Sequence, residues 1–128
     1  MKEFDELLAD GRELRDRMVG APELGDDGGA MARWRKEYAE FEVEHFWSIA
    51  ASTEALDDRG RCICMLSLLI ATGYTDQLEA FLRGVLKNRL LSRPEIRDLL
   101  MQCPGFIGYP RTLAARRAAE RVFADSLL

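Results

Sequence analysis

The sequence predicts an all-α fold, a single compact domain of about six helices. Apolar residues recur at spacings of three and four along most of the chain, as on the buried face of a helix. Helix start and stop signals separate these segments, and no stretch alternates as a strand does. With 128 residues, 48% of them hydrophobic, the chain can bury a core without disulfides or metals.

The N-terminal part of the chain divides into a helix, a loop and the start of the helical core. The first helix is predicted over residues 1–19, which carry an apolar stripe. The segment GAPELGDDGGA, residues 20–30, contains four glycines and a proline and is typical of a flexible loop. The helical core is predicted over residues 31–128, with its first helix spanning about 31–49.

Capping signals define the remaining helices. Asp57 caps a third, apolar helix that ends at Gly73. The segment TDQLEAFLRGVLKN forms the fourth helix, with apolar and charged residues on opposite faces. Ser92 and Glu95 form a capping box that opens the fifth helix, and Pro110 begins the last one.

Composition and charge favour a cytoplasmic protein that binds neither nucleic acid nor membranes. The net charge of −4 and the pI of about 5.1 argue against both partners, because each requires a surplus of Lys and Arg. The N-terminus lacks the apolar run of a signal peptide, and the longest apolar run, CICMLSLLIA, is too short to span a bilayer. Three cysteines form no disulfide framework and indicate a reducing compartment.

The cysteines are predicted to be core residues without a redox or metal role. Cys62 and Cys64, two positions apart on one helix, point roughly 200° away from each other, so they do not form an easy redox pair. Cys103 is interpreted in the same way. The sequence holds one histidine and no carboxylates clustered at ligand spacing, so no metal site is predicted.

Four segments carry motifs in the order and spacing of one known family. They are LDDRGRCICMLSLLIATG with the R-x-R of Arg59 and Arg61, FLRGVLKN with Arg83, the capped helix EIRDLL, and the turn FIGYP. The chain resembles the carboxymuconolactone decarboxylase family, which also contains the alkylhydroperoxidase D type peroxidases. This resemblance implies the helical fold of that family, a small-molecule substrate, no cofactor, and a homo-oligomer, trimeric or hexameric.

Departures from the family pattern narrow the expected chemistry. The peroxidases use a C-x-x-C pair, and the corresponding positions here are about Tyr74 and Gln77, so the resemblance implies a decarboxylase-type member rather than a thiol peroxidase. The decarboxylases carry a histidine where this chain has Phe81, and a tyrosine where it has Phe106. The two phenylalanines make the expected pocket more apolar, which suits a larger ligand such as a polyketide-like intermediate.

The candidate catalytic residues are His45, Glu42 and Gln102. The single histidine is the natural proton carrier near neutral pH, and a carboxylate three residues earlier on a helix lies within reach of its imidazole. The segment FEVEHFW resembles a W-G-E-x-W segment of the family, with Trp47 retained. Gln102 occupies a position that is often histidine in the family, and its amide can donate to a carbonyl oxygen of a ligand. Both residues also have structural interpretations: a hydrogen bond to backbone satisfies the Gln102 amide equally, and a lone histidine between aromatic residues is commonly a packed or partly exposed helix residue.

The resemblance also implies a set of substrate-binding residues on the later helices and on the predicted second helix, which carries His45. Its members are Phe81, Arg83, Trp47, Phe106 and Tyr109. Arg83 has two interpretations: it holds a substrate carboxylate by a bidentate contact, or it pairs with Glu79 one turn back on the helix.

Other conspicuous residues have structural interpretations. Trp34, Tyr38 and Trp47 are expected in the core or at an interface. Arg59 and Arg61 are expected to cap a helix, bridge subunits or hold acidic groups. The last helix carries several arginines, which are interpreted as a solvated or subunit-facing surface: Arg111, Arg116, Arg117 and Arg121.

Two functions therefore remain open. The first is a cofactor-independent enzyme that resembles 4-carboxymuconolactone decarboxylase and acts by acid–base catalysis on an unsaturated cyclic acid, a lactone or a larger apolar intermediate. The second is a non-catalytic ligand-binding or assembly subunit on the same scaffold, which the missing histidine and tyrosine favour.

Overall fold

A computed structural model describes residues 2–25 and 28–125, and the fold of these residues is all-α, which confirms the predicted class. The helices are α1 (Phe4–Met18), α2 (Ala30–Glu42), a π-helical segment (Val43–Trp47), α3 (Ser48–Ala51), α4 (Asp58–Thr72), α5 (Thr75–Lys87), α6 (Arg93–Gln102), α7 (Pro104–Ile107) and α8 (Tyr109–Phe123). Residues 26 and 27 of the predicted loop and residues 126–128 of the predicted last helix lie outside the described residues.

The helix count agrees with the prediction once two short elements are considered. α2, the π-helical segment and α3 follow one another without a break and form one helical stretch over residues 30–51. α7 is a single turn between α6 and α8. In the part of the chain that the structure describes, no helix combines the length and the apolar character that a bilayer span needs.

The chain forms two compact units, Met1–Ala55 and Leu56–Leu128. Unit 1 holds α1 to α3, and unit 2 holds α4 to α8. The single domain expected from the sequence stays a prediction.

Unit 1 is built on the packing of α1 against the π-helical segment and α3. Leu14 and Met18 of α1 and Val43 and Trp47 of the π-helical segment are almost completely buried. Gly11 makes this approach possible, because a Cβ atom there would lie 2.7 Å from the backbone nitrogen of Ser48. A residue without a side chain lets the two backbones come this close.

In unit 2, α5 packs against α4 and α8, and α6 packs against α8. The core contains large aliphatic residues from α4, α5 and α6 and small residues from α8, which let the helices approach: Leu66, Ile70, Leu78, Leu82, Ile96, Ala115, Ala118 and Ala119. The predicted caps are confirmed. The Asp57 carboxylate accepts from the Gly60 N–H at 2.7 Å, Gly73 ends α4 at a φ of 79°, and Ser92 with Glu95 forms the capping box of α6.

The cysteines divide into different environments, so the prediction that all three are core residues is wrong. Cys62 is buried and Cys64 is exposed, as their opposite directions on α4 require. Burial raises the pKa of the Cys62 thiol to about 11. Cys103 is half-buried, and its Sγ lies 3.3 Å from the carbonyl oxygen of Leu99.

Candidate functional site

The sequence-predicted site residues fall in both units. His45, Glu42 and Trp47 belong to unit 1, and the others belong to unit 2: Gln102, Phe81, Arg83, Phe106 and Tyr109. Each group is described within its own unit.

His45 lies in the π-helical segment with its side chain 61% exposed. Its Nε2 atom is 3.6 Å from Oε2 of Glu44, and its ring centroid is 4.5 Å from that of Phe41. An exposed imidazole fixed by an aromatic neighbour can exchange a proton with solvent or with a ligand.

The carboxylate beside His45 is that of Glu44, whereas the spacing of an α-helix predicts Glu42, three residues before the histidine. Glu42 is exposed at the end of α2. Residues 43–47 form the π-helical segment, and no local sequence signal indicates that the α-helical spacing ends there.

Trp47 belongs to the core of unit 1. Only 2% of the residue is exposed, and its ring centroid lies 4.6 Å from that of Phe46. This burial agrees with the core interpretation and leaves little indole surface for a ligand.

α2 presents a row of aromatic rings to solvent. The centroids of Trp34 and Tyr38 are 5.8 Å apart and those of Tyr38 and Phe41 are 6.3 Å apart, both in edge-to-face orientation. Each of these three residues is between 52% and 56% exposed, so none belongs to the core of the described structure. Trp34, Tyr38 and Phe41 line a shallow groove with Glu37. Together with His45, whose ring contacts Phe41, they form a continuous row.

In unit 2, Arg83 already binds a carboxylate of this chain. Its Nη1 atom donates to Oδ2 of Asp125 at 2.7 Å. The expected alternative partner, Glu79, is instead paired with Arg121, so the prediction of an Arg83–Glu79 pair is wrong. Both contacts join α5 to the C-terminal end of the chain, which sequence spacing along one helix does not reveal.

The other predicted residues of unit 2 differ in exposure. Gln102 is exposed, and its Nε2 donates to the Asp98 carbonyl oxygen at 3.2 Å. This is a structural hydrogen bond to the backbone one turn earlier in the same helix. Phe81 is half-buried on α5. Phe106 is 92% exposed and Tyr109 is also exposed, so neither ring forms an enclosed wall within unit 2.

The R-x-R pair holds acidic groups, as one of its interpretations proposed. Arg59 pairs with Glu95 and donates to the Leu90 carbonyl oxygen at 2.9 Å. The hydrogen bond from Arg59, together with those of the capping box, lowers the pKa of Glu95 to about 2. Arg61 pairs with Asp58 at 3.1 Å.

Unit 2 has a groove between α6 and α8. Apolar and arginine side chains line it, including Arg97, Leu100, Arg116 and Ala119. The Arg93 guanidinium, also in the lining, lies 5.4 Å from the Phe123 ring centroid. Arg116 pairs with Glu120 at 3.2 Å. Across residues 2–25 and 28–125, no group of three or more His, Cys, Asp or Glu side chains is placed to hold a metal ion.

Comparison with known proteins agrees with the sequence motifs. No family model matches the chain. The chain is 25% identical to 4-carboxymuconolactone decarboxylase of Acinetobacter baylyi over 115 residues, which cover 90% of this chain and 85% of that protein. The ordered motifs and this near full-length similarity agree with each other, and both are similarities to the carboxymuconolactone decarboxylase family.

Proposed function

We propose that this protein is a lyase that removes carbon dioxide from an unsaturated cyclic acid or lactone, with His45 as the proton carrier. The observation that carries the proposal is the similarity to a protein named 4-carboxymuconolactone decarboxylase over 90% of the chain. The reacting group in such a substrate is a carboxylate whose departing electron pair is accepted by a conjugated carbonyl.

The surroundings of His45 support its role. The imidazole is open to solvent and contacts the Phe41 ring at an interplanar angle of 41°, and the Glu44 carboxylate lies 3.6 Å from Nε2. An imidazole that is open to solvent can take a proton from water and deliver it to carbon. The chain has no second histidine to take this role.

The reaction balances without an external oxidant or reductant. The bond between the ring carbon and the carboxylate breaks, carbon dioxide leaves, and the electron pair moves into the conjugated carbonyl to form an enolate. The imidazolium of His45 then donates a proton to carbon and regains it from water. Hydrogen-bond donors near the enolate oxygen stabilise the transition state.

The test follows 4-carboxymuconolactone and the purified protein over time, with carbon dioxide release measured by mass spectrometry. We expect turnover by the wild type and a loss of about 10²–10⁴-fold in kcat for His45→Ala, the usual contribution of a general acid. Glu6→Gln, which changes an exposed carboxylate on α1 that does not line the groove beside the aromatic rings, is the matched control and retains turnover.

Two results would contradict the proposal. An absence of carbon dioxide release by the wild type, both with 4-carboxymuconolactone and with larger apolar unsaturated acids, refutes the lyase function. Wild-type turnover that persists in His45→Ala refutes the role of His45 alone and leaves the reaction class standing.

The contacts of unit 2 favour a second candidate, a non-catalytic ligand-binding or assembly subunit. Arg83 is held by Asp125 and Gln102 by its own helix backbone, so both side chains have structural partners. Under this alternative, Arg83→Met lowers the thermal stability. The wild type has no turnover, so no substitution changes it. A wild type that releases carbon dioxide rejects this alternative.

A further inference from the structure

The groove between α6 and α8 in unit 2 has the size and the composition of a small-molecule site. Its volume is about 430 Å³, within the range of about 300–1,000 Å³ that is typical of ligand pockets. Such pockets combine an apolar surface with a few polar groups that orient the ligand. All the lining residues belong to unit 2, and none of them has a role in the decarboxylation proposed above.

Apolar side chains of both helices line the groove. Leu100 of α6 and Ala119 of α8 are almost completely buried, and Pro94 and the half-buried Phe123 continue this apolar surface. On α6 the lining covers residues 93–100, about 10 Å at a rise of 1.5 Å per residue. The groove therefore has room for an extended apolar body rather than for a small ion alone.

The charges of the groove favour an anionic ligand. Among the described residues, its lining carries three arginines and one carboxylate, namely Arg93, Arg97, Arg116 and Glu120. The whole chain has a net charge of −4, so the excess of positive charge is local to this surface. A concave surface lined by positive charge raises the local concentration of anions.

Arg97 and Arg116 keep hydrogen-bond donors for such an anion. Arg116 pairs with Glu120 through Nε at 3.2 Å, and Arg97 contacts Asp98 through Nη2 at 3.4 Å. Each contact engages one nitrogen of a guanidinium, which has five N–H donors in a planar fork. A carboxylate matches this fork with two parallel hydrogen bonds.

We propose that the groove between α6 and α8 binds a small amphipathic carboxylate, a molecule with an extended hydrocarbon body and one carboxylate group. The hydrocarbon body lies along the apolar lining, and the carboxylate accepts hydrogen bonds from Arg97 and Arg116. Affinity comes both from burial of the body and from pairing of the charge. A ligand that has only one of these two features therefore binds weakly.

The same two features separate this ligand from other anions. Inorganic anions have no apolar body to place against Leu100 and Phe123. Nucleic acid is a long polyanion, and the acidic remainder of the chain repels it.

The experiment is isothermal titration calorimetry of the full chain with sodium decanoate, which carries a hydrocarbon chain and one carboxylate. We expect saturable binding with a Kd on the order of 0.1 mM, as for a small ligand in an open groove. Hexanoate, which has a shorter chain, is expected to bind more weakly by up to about fourfold for each CH₂ group removed.

Two further ligands separate the apolar contribution from the charge. Decyltrimethylammonium has the same hydrocarbon chain with the opposite charge, and acetate has the carboxylate without the chain. Each is expected to bind about tenfold more weakly than decanoate, or not at all.

Substitutions locate the site. Arg97→Gln and Arg116→Gln are each expected to weaken decanoate binding about three- to fivefold, as loss of one partly exposed ion pair does. Arg117→Gln is the matched control, because Arg117 is exposed on α8 beside Arg116 but lies outside the groove lining, and it leaves the affinity unchanged. Phe123→Ala removes part of the apolar lining and is expected to weaken binding about fivefold. Circular dichroism melting curves verify that each variant is folded.

Four outcomes would overturn the inference. The first is the absence of saturable decanoate binding. The second is an equal loss of affinity in Arg116→Gln and Arg117→Gln, which indicates general attraction to the charge of α8. The third is decyltrimethylammonium binding as tightly as decanoate, which indicates an apolar surface without charge selectivity.

The fourth is a wild-type oligomer that dissociates in Phe123→Ala in sedimentation velocity, because another copy of the chain then covers the groove. None of these measurements depends on turnover, so a failure of the proposed ligand site is distinguishable from a failure of the proposed decarboxylation.

Discussion

The substitution Gly11→Ala, which adds one methyl group, is the most direct test of the packing of α1 in unit 1. A Cβ atom at this residue would lie 2.7 Å from the Ser48 nitrogen, 2.9 Å from the Ser48 Cα and 3.1 Å from the Trp47 carbonyl carbon. Ordinary contact begins at 3.4 Å, so the closest of these distances has to grow by about 0.7 Å. The obstructing atoms are backbone, which moves only if α1 moves.

The magnitude follows from two opposing effects of Gly11→Ala. Overpacking of this kind costs about 1–3 kcal/mol. Alanine favours the helical backbone over glycine by about 1 kcal/mol. Because the obstructing atoms are backbone, the overpacking cost lies at the upper end of its range, about 2–3 kcal/mol, and the expected net loss in free energy of unfolding is about 1–2 kcal/mol.

Urea denaturation followed by tryptophan fluorescence measures this loss, because the buried Trp47 lies at the contact itself. Gly105→Ala is the control, since a Cβ atom there meets nothing within 4 Å; it is expected to be neutral or slightly stabilising. A Gly11→Ala variant as stable as the wild type would refute the close approach of α1 to Ser48.

Three further predictions concern unit 2. Glu95→Gln is expected to lower the melting temperature at pH 5 and above. Arg59 lowers the pKa of Glu95 to about 2, so the carboxylate stabilises the fold above its unfolded pKa of about 4.5 and loses this effect as the pH falls toward 2. A difference in melting temperature between variant and wild type that stays constant down to pH 2 contradicts this prediction. Cys64 is expected to react with a thiol reagent in the native protein while the buried Cys62, whose pKa burial raises to about 11, reacts only after unfolding, which mass mapping of labelled peptides checks. Leu66→Ala, at a residue with 0% exposure, is expected to cost about 2–5 kcal/mol in chemical denaturation, and a loss below 1 kcal/mol would refute its place in the core.

The helices were predictable because their signals are local. The side chains of Asp57 and Ser92 satisfy N–H groups within three residues of themselves, so the relevant geometry is contained in a short stretch of sequence. The same holds for the φ of 79° at Gly73, which glycine adopts without strain.

The candidate site was less predictable because its contacts depend on tertiary packing. The partner of Arg83 is Asp125, 42 residues away, whereas helix periodicity proposes partners only one turn distant. The spacing of Trp34 and Tyr38 is equally compatible with a core stripe and with an exposed seam, since periodicity shows that residues share a face but not what covers that face.

The π-helical segment has a consequence for any transfer of function from relatives. A π-bulge holds one residue more than the α-helix it interrupts, and one residue corresponds to a rotation of about 100° around the helix axis. An alignment at 25% identity that omits this extra residue therefore assigns the wrong face to every position on one side of the segment. Where a relative has a continuous α-helix in this region, counting along the two sequences and superposing the two helices in space therefore assign different equivalents to His45.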